Sequence, residues 1–373
     1  MGINMKILNL MQCLNLGGME QSAYILMRET HEKMITWQVQ SITPGGVGKK
    51  IAANLNIPAK DNLYIGKFGW RSYFELKRKI LEFIGDIILV TGPSLTSCLA
   101  IKGSSYKKVL GIHFCHGSSI KERLKWKLFY NFFGKDYDAI IYHSQYILEE
   151  AKQIAPYLED KFHLVEYSTQ HCSITSEKDK RTARQHLDIP TDKFIIGNAG
   201  WLIERKRFDI FLQVCAKISK SYPNVFYLIA GDGPMRQELE ILARDLGIID
   251  KVKFLGWQEV LHTFYQALDL VLFNSNSDAF GRTVMEAMGY GVPVVASVLE
   301  GGTDSVIIHK ENGYLIPKHE IEQLAEYCLK LINEQDLYNK FQLASIETIR
   351  KRFSNDLYVQ KYLEVFNDVL KAS

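Results

Sequence analysis

The residues with the clearest capacity for chemistry in this sequence follow short apolar runs. Arg205 and Lys206 come just after the end of the run FIIGNAGW, and the tetrapeptide FGRT (280–283) follows LVLFNSNS and opens a predicted helix. Cationic side chains bind anions, and the first N–H groups of a helix bind phosphate together with the positive end of the helix dipole. Such groups would stabilise the negative charge that a phosphate leaving group gains as its bond breaks. The sequence therefore predicts a phosphate-binding site.

Two series of apolar runs must position these residues. Runs such as DIILVTG and VFYLIAG alternate with amphipathic stretches throughout the chain, which is the pattern of parallel sheets covered by helices. Ligands collect at the carboxyl ends of the strands in open α/β sheets, and Arg205 and Lys206 lie just past such an end. The pattern predicts an α/β fold, and 373 residues are enough for two domains.

The two series of strands set the predicted domain boundaries. Residues 1–170 are predicted to form the first domain, the polar segment 171–193 a linker, and residues 194–354 the second domain. Residues 355–373 carry apolar side chains at helical spacing and predict a terminal helix. This helix could pack back on the N-terminal domain.

Three familiar motifs are incomplete. The segment PGGVGKK (44–50) lacks the first glycine of a Walker A loop, because Thr43 stands at that position. The segment GDG (231–233) has Arg236 where a dinucleotide fingerprint needs its third glycine, which argues against a nicotinamide cofactor. The segment HFCH (113–116) can place at most two of its ligand-type side chains on one face of a strand, which is too few for zinc.

Six segments occur together in the order and approximate spacing of a known family. They are GWLIERKRFD (200–209), GDGP (231–234), FLGW (254–257), SNSDAFGRTVMEAMGYGVPVVAS (275–297), EGG (300–302) and NGYLIP (312–317). On these segments the chain resembles the retaining glycosyltransferases of family 4, also called glycosyl transferases group 1, over essentially its whole length. The resemblance implies the GT-B fold, in which two Rossmann-like, doubly wound parallel-sheet domains face a cleft. It also implies a nucleotide diphosphate sugar as donor and no metal or other cofactor.

The resemblance assigns roles to residues of the second domain. Glu286 matches a glutamate that bonds the ribose hydroxyls, and Asp278 stands, one methylene shorter, where the family has a glutamate aimed at the donor sugar. Trp201 replaces an arginine, for which Arg205 could compensate, although Arg205 could equally be a solvated charge at a helix start. Gly301, Gly302 and Thr303 could add N–H donors to the phosphates or form a plain turn. The diphosphate-binding set in this domain is Arg205, Lys206, Gly281, Arg282 and Thr283, and the set for the donor sugar is Asp278, Ala279 and Phe280, joined by His116 of the first domain.

The resemblance assigns fewer residues in the first domain. Gly17 and Gly18 follow the strand MKILNLMQ and match the glycine-rich loop that lies beneath the diphosphate and sugar. His116, at the end of the strand KKVLGIHFC, matches the cleft histidine, with His113 as the alternative if the register is shifted. The predicted catalytic residues are accordingly His116, Asp278 and Glu286.

Composition indicates the class of protein. The chain is 47% hydrophobic, has no apolar run long enough to cross a bilayer, and has no CxxC pair among its six cysteines. Its start lacks the features of a signal peptide, so we expect a cytoplasmic protein. The first 180 residues hold 23 Lys and Arg against 17 Asp and Glu, so an anionic surface could dock there. The basic residues are too dispersed for a nucleic-acid binder.

Two further segments bear on metal and membrane binding. Asp136 and Asp138 match the DxD metal motif of a different glycosyltransferase architecture, but a role at the entrance to the strand DAIIYHS is favoured. The segment KERLKWKLFYNFFGK (121–135) interleaves cations with aromatic residues. Such a helix can lie on the inner face of an anionic membrane. The alternative is an ordinary helix that buries its aromatic face.

The predicted function is that of a retaining, hexosyltransferase-type glycosyltransferase. The donor is a nucleotide sugar, with UDP-sugar favoured over GDP-sugar, and the acceptor is a saccharide or a lipid-linked glycan in cell-surface polysaccharide or lipopolysaccharide synthesis. The alternatives are a nucleotide-sugar epimerase or hydrolase of the same fold, or a binding protein that has lost catalysis. Trp201 and Asp278, which depart from the family pattern, motivate the last alternative.

Overall fold

The computed structural model describes residues 5–15, 17–31, 34–61, 69–117, 119–278, 280–299 and 302–372. The chain forms two compact units. The first contains the residues up to Ser168 together with those from Asn355 onward, and the second runs from Thr169 to Ser354.

Each unit is built on one parallel sheet. In chain order the strands of the first are β1 (Met5–Met11), β2 (Ile35–Ser41), β3 (Ala59–Lys60), β4 (Ile87–Thr91), β5 (Lys107–Ile112), β6 (Ala139–Tyr142) and β7 (Phe162–Leu164). Those of the second are β8 (Phe194–Ala199), β9 (Val225–Ala230), β10 (Val252–Phe254), β11 (Leu270–Phe273), β12 (Val294–Ser297) and β13 (Tyr314–Ile316).

Helices connect the strands. They are α1 (Gly18–Thr30), α2 (Gly48–Asn54), α3 (Trp70–Glu82), α4 (Leu95–Ile101), α5 (Ile120–Phe133), α6 (Gln145–Ile154), α7 (Glu177–His186), α8 (Phe208–Ser221), α9 (Arg236–Asp245), α10 (His262–Ala267), α11 (Arg282–Gly289), α12 (Ile321–Asn333), α13 (Gln335–Arg352) and α14 (Asn355–Lys371). Among the helices of the described ranges, none combines the length and the apolar character needed to span a bilayer.

The two sheets share one topology. The first has the order β3-β2-β1-β4-β5-β6-β7, and the second has the order β10-β9-β8-β11-β12-β13. In both, the first strand of the unit lies beside the fourth, so the strand order reverses between β1 and β4 and between β8 and β11. This reversal opens a crevice at the carboxyl edge, where ligands of doubly wound sheets bind. The interior strands β4 and β9 are buried along their whole length, as expected of a sheet covered on both faces.

The terminal helix α14 belongs to the first unit. Tyr358 donates a hydrogen bond to the backbone carbonyl of Ser22 in α1 at 3.2 Å, and Phe366 packs edge-on against Trp37 of β2 with ring centroids 6.4 Å apart. The last residues of the chain therefore complete the core of the unit that the first residues begin.

The segment predicted as a linker, 171–193, contains helix α7 of the second unit. Asp269 accepts hydrogen bonds from Lys180 at 3.0 Å, from Arg184 at 2.6 Å and from the backbone N–H of Ile195 at 2.7 Å. The segment is polar because its cations pair with a largely buried carboxylate.

Candidate functional site

The loops that follow β8 and β11 are joined at the carboxyl edge of the second sheet. The backbone carbonyl of Arg205 accepts hydrogen bonds from the N–H of Asn276 at 2.8 Å and from the hydroxyl of Ser275 at 3.1 Å. The exposed Arg205 guanidinium donates to the carbonyl of Ser277, and the amide of Asn274 donates to the carbonyl of Arg207. These bonds hold the basic segment after β8 against the segment that leads into α11.

Lys206 and Asp278 form an ion pair inside this junction. Their Nζ and Oδ2 atoms are 2.5 Å apart, and the two side chains expose 13% and 23% of their surface. The Lys206 ammonium also lies 5.5 Å from the centre of the Phe273 ring at the end of β11. The structure thus brings Lys206, predicted to bind the diphosphate, into direct contact with Asp278, predicted to bind the sugar, although 72 positions separate them in the sequence.

Helix α11 begins beside this pair. Gly281 caps it with a φ of 70°, a left-handed conformation that favours glycine. A β-carbon at Gly281 would lie 3.5 Å from the Thr303 side chain, so backbone conformation and not crowding requires glycine here. Thr283 donates a hydrogen bond to the carbonyl of Ala199, the last residue of β8, at 3.1 Å. This bond fixes the helix N-terminus over the crevice between β8 and β11.

Glu286 lies one turn into α11 and accepts hydrogen bonds from two side chains. The Tyr265 hydroxyl of α10 donates to its Oε2 at 2.9 Å, and the Arg282 guanidinium donates to its Oε1 at 3.0 Å. Burial, together with the neighbouring Glu286 carboxylate, holds the pKa of Tyr265 well above its usual value. The hydroxyl therefore keeps its proton and orients the carboxylate. Tyr265 was missed in the sequence, because nothing local marks a tyrosine of the stretch LHTFYQA as a partner of Glu286.

The other residues of the second unit that were predicted to bind the sugar or the phosphates are less accessible to a ligand. The Phe280 ring is 1% exposed and packs edge-on against Phe353, so a contact with a ligand would have to come from its backbone. Ala279 and Gly301 lie outside the described residues. The Thr303 hydroxyl donates to the carbonyl of Ser297 at 2.7 Å, and it accepts from the N–H of Leu299 at 2.9 Å. The segment from Thr303 to Ser305 is a single 3₁₀ turn, so Thr303 is bound within its own loop.

In the first unit, Gly17 and Gly18 form the start of α1 after β1, as predicted. A β-carbon on Gly17 would lie 2.6 Å from Oε2 of Glu20, which is buried. Glycine at this position leaves room for the carboxylate where it lies. The Cys13 thiol also donates to Glu20, at 3.3 Å. The carboxylate of Glu20 thus lies at the positive end of the helix, the place that the prediction gives to a phosphate.

His116 is enclosed within the first unit. Its side chain has no exposed surface, its Nδ1 lies 3.2 Å from Oε2 of Glu150, and its Nε2 lies 2.7 Å from the Tyr130 hydroxyl. Burial would raise the pKa of Glu150, but hydrogen bonds from His116 hold it below its usual value, so an Nδ1–H that donates to the carboxylate fits the network. In this structure both ring nitrogens of His116 are engaged by protein groups.

The alternative histidine, His113, directly follows β5. It is 8% exposed, its Nδ1 lies 2.8 Å from the Tyr167 hydroxyl, and its ring stacks on His143 at 4.2 Å between centroids. Each histidine thus has packing partners that local sequence did not indicate. The choice between them as the histidine that contacts a donor sugar stays a prediction.

No group of three or more His, Cys, Asp or Glu is placed to hold a metal ion in the described part of the chain. Asp138 of the DxD segment accepts a hydrogen bond from the backbone N–H of Lys108 at 2.8 Å and lies 3.6 Å from the Lys107 ammonium. It thereby links the start of β6 to β5. This is the role at a strand entrance that the sequence favoured.

Comparisons with known proteins show which sequences and folds this chain is similar to. Residues 179–348 match the family described as glycosyl transferases group 1. The lipopolysaccharide core biosynthesis glycosyltransferase LpsD of Rhizobium meliloti is 30% identical over 185 residues, which are 50% of this chain and 52% of LpsD. An uncharacterized glycosyltransferase of Haemophilus influenzae is 25% identical over 317 residues, covering 80% of this chain and 81% of that protein. The matched region spans about half the length of LpsD and of LpsE, a lipopolysaccharide core biosynthesis glycosyltransferase of the same organism.

Solved structures share the fold along nearly the whole chain. HepE of Anabaena, crystallised in complex with UDP and glucose, has a TM-score of 0.85 at 22% sequence identity, covering 98% of this chain and all of HepE. A glycosyltransferase of Rickettsia africae has a TM-score of 0.83 at 20% identity, covering 99% of this chain and all of that protein. The fold is therefore the two-domain α/β fold known as GT-B, as predicted.

Proposed function

We propose that this chain, whose residues 179–348 match the glycosyl transferases group 1 family, transfers a sugar from a nucleoside diphosphate donor to a glycan or lipid-linked glycan. The observation that supports this function best is the junction of the loops after β8 and β11. It places the Lys206–Asp278 pair beside the N-terminus of α11, at the reversal in strand order where ligands of such sheets bind.

Each group at the junction suits one part of such a donor. Lys206, Arg205 and the first N–H groups of α11 would bind the diphosphate, with Arg282 and Thr283 in the first turn of that helix. Glu286, oriented by Tyr265, would accept hydrogen bonds from the ribose hydroxyls. Asp278 would bind hydroxyls of the donor sugar.

The chemistry follows from where charge develops. As the bond from the sugar to the phosphate breaks, the diphosphate gains negative charge, which a cation and oriented N–H groups stabilise more in the transition state than in the ground state. The proposed reaction retains the anomeric configuration by attack on the face that the phosphate leaves. Lys206 and the helix N-terminus would supply the positive charge, so we propose that the reaction needs no metal ion.

The donor is proposed to be a UDP-sugar in preference to a GDP-sugar. HepE, which shares the fold, has been crystallised with UDP and with UDP-glucose. LpsD and LpsE are named for the synthesis of a lipopolysaccharide core, which supports a cell-surface glycan as the acceptor of this chain. The proposed acceptor is accordingly a saccharide or a lipid-linked glycan.

Helix α5 supports contact with a membrane that holds such an acceptor. Its aromatic residues Trp126, Phe129 and Phe133 pack within the first unit, as in the alternative of an ordinary domain helix. A second apolar stripe faces the solvent, formed by side chains that expose 86, 56, 48 and 65% of their surface: Ile120, Leu124, Leu128 and Phe132.

Cations flank that stripe on both sides. At 100° per residue, Lys121 and Lys125 project on one side of the stripe, and Arg123 and Lys127 project on the other. An exposed apolar stripe between two rows of cations suits the surface of an anionic bilayer. We propose that α5 places the enzyme on the inner face of a membrane.

A second candidate function is a nucleotide-sugar binding protein without transfer activity, and an epimerase or hydrolase of the same fold is a third. Trp201, in place of an arginine, lowers the positive charge around the diphosphate, and this observation favours the binding protein. Turnover separates the three: a transferase needs an acceptor, an epimerase or hydrolase consumes donor alone, and a binding protein leaves the donor intact.

The test is calorimetric titration of UDP-, GDP- and ADP-sugars in EDTA, with donor breakdown followed in the same samples. We expect one donor to bind, with equal affinity when Mg²⁺ replaces EDTA. The variant Glu286→Ala should bind that donor more weakly. Donor breakdown without binding loss in that variant would refute the assignment of Glu286, and absence of binding to every donor in either buffer would refute the proposed function.

A further inference from the structure

Two tryptophan side chains meet on the surface of the second unit. Trp201, two residues past β8, is 56% exposed, and Trp257, three residues past β10, is 49% exposed. Their ring centroids are 5.4 Å apart and their planes cross at 61°, an edge-to-face pair. Indoles are large apolar groups, so a pair left in water offers surface that a ligand can cover.

The backbone holds this pair in place through three glycines. The N–H of Gly231 donates to the carbonyl of Gly256 at 2.8 Å, and a β-carbon on Gly231 would lie 1.9 Å from the carbonyl oxygen of Gly200. Only glycine at 231 permits so close an approach. Trp201 directly follows Gly200 and Trp257 directly follows Gly256, so the contact of the three loops fixes where both indoles lie.

The place of Trp257 along the sheet edge matches one end of a nucleotide. The proposed phosphate-binding groups follow β8 and β11. Trp201 also follows β8, whereas Trp257 follows β10, two strands from β8 on the side opposite to β11. With about 4.8 Å between neighbouring strands, β10 lies roughly 10 Å from β8, a distance comparable to that between the phosphates and the base of a nucleoside diphosphate. The segment that carries Trp257 also leads into α10, whose Tyr265 bonds the proposed ribose ligand Glu286.

We propose that the Trp201–Trp257 pair is an aromatic platform that binds the flat face of the donor nucleobase. The proposal rests on the nucleotide-sugar function proposed above and names residues that hold the base. A base offers a planar π face that stacks on an indole, and such stacking tolerates different bases. The family resemblance would place a cation at position 201. Trp201 instead contributes an indole that packs edge-to-face with Trp257.

The test compares ligands with and without a base. UMP, UDP and pyrophosphate are titrated by calorimetry into the wild type, Trp257→Leu, Trp257→Phe and Trp70→Leu. Trp70 is a matched control, because it is an exposed tryptophan of the first unit. We expect Trp257→Leu to weaken the binding of UMP and of UDP about tenfold, which is the loss of affinity typical of one stacked base. Pyrophosphate binding should not change, Trp257→Phe should retain most of the affinity, and Trp70→Leu should bind as the wild type does.

The outcomes distinguish this proposal from the function on which it rests. If the wild type binds UDP and Trp257→Leu binds UMP and UDP equally well, the platform is refuted and the nucleotide site stands. If Trp257→Leu weakens pyrophosphate as much as UMP, the indoles do not act on the base, and the proposal also fails. If the wild type binds no nucleotide, both proposals fall together.

Discussion

The ion pair between Lys206 and Asp278 predicts that loss of the Asp278 charge raises the affinity for a diphosphate. In this structure the Asp278 carboxylate engages the ammonium proposed to bind the diphosphate. A diphosphate must therefore compete with a protein anion for the same cation. Asp278→Asn keeps the shape of the side chain but removes the competing charge, so we expect it to bind UDP more tightly.

Two contributions set the magnitude. The side chains of the pair are 13% and 23% exposed, so solvent screens them in part, and releasing Lys206 from the pair contributes about 1 kcal/mol. Removing one negative charge roughly 6 Å from the diphosphate relieves a further ~1 kcal/mol of repulsion at an effective dielectric constant of about 50. Together they amount to about 2 kcal/mol, or about 30-fold in the Kd.

The assay is calorimetric titration of UDP, which isolates the diphosphate from the sugar, into the wild type and three variants. Asp278→Asn should bind about 30-fold more tightly, and Lys206→Met should bind at least tenfold more weakly because a charge-assisted hydrogen bond is lost. Asp209→Asn is the matched control, since Asp209 pairs with Arg207 at 2.8 Å and its loss changes the net charge equally. The turnover of Asp278→Asn should fall, because its sugar contact is weakened.

The reasoning is refuted if Asp278→Asn binds UDP with the affinity of the wild type or more weakly. It is also refuted if Asp209→Asn shows the same gain, because net charge alone would then explain the result. Unchanged UDP affinity in Lys206→Met would show that the ammonium does not bind the diphosphate.

Three more predictions test other parts of the chain. Glu286→Gln should weaken the binding of UDP about tenfold in calorimetry, because the side chain proposed to bind the ribose loses its charge, while the binding of pyrophosphate should not change. An equal loss of affinity for both would contradict the ribose role. Asp269→Asn should lower the free energy of unfolding by about 3 kcal/mol in urea, because two buried cations lose their counter-ion; Asp188→Asn, with a fully exposed side chain, is the control and should change little. The wild type should sediment with phosphatidylglycerol vesicles, and the double variant Leu124→Glu/Leu128→Glu should not. Leu343→Glu, at an exposed leucine of the second unit, is the control and should sediment as the wild type does. Equal binding by the wild type and both variants would contradict membrane contact through α5.

Much of the fold was predictable because it rests on local pattern. Buried runs such as β4 and β9 read as strands of a covered parallel sheet, and their alternation with amphipathic stretches indicated two α/β units. The segment 171–193 was harder, because its charges resemble those of a linker. The ion pairs of Lys180 and Arg184 with Asp269 show that α7 packs within the second unit.

By itself, the sequence determined which segments would gather at the site. Parallel strands place their carboxyl ends on one edge of a sheet, so Lys206 after β8 and FGRT after β11 had to approach one another. Only the tertiary structure decided which side chains touch: Lys206 with Asp278, Tyr265 with Glu286, and Trp201 with Trp257. It likewise enclosed His116 among Glu150 and Tyr130. Periodicity reports which way a residue faces within its own element, whereas these contacts depend on how separate elements pack, and no local pattern encodes that.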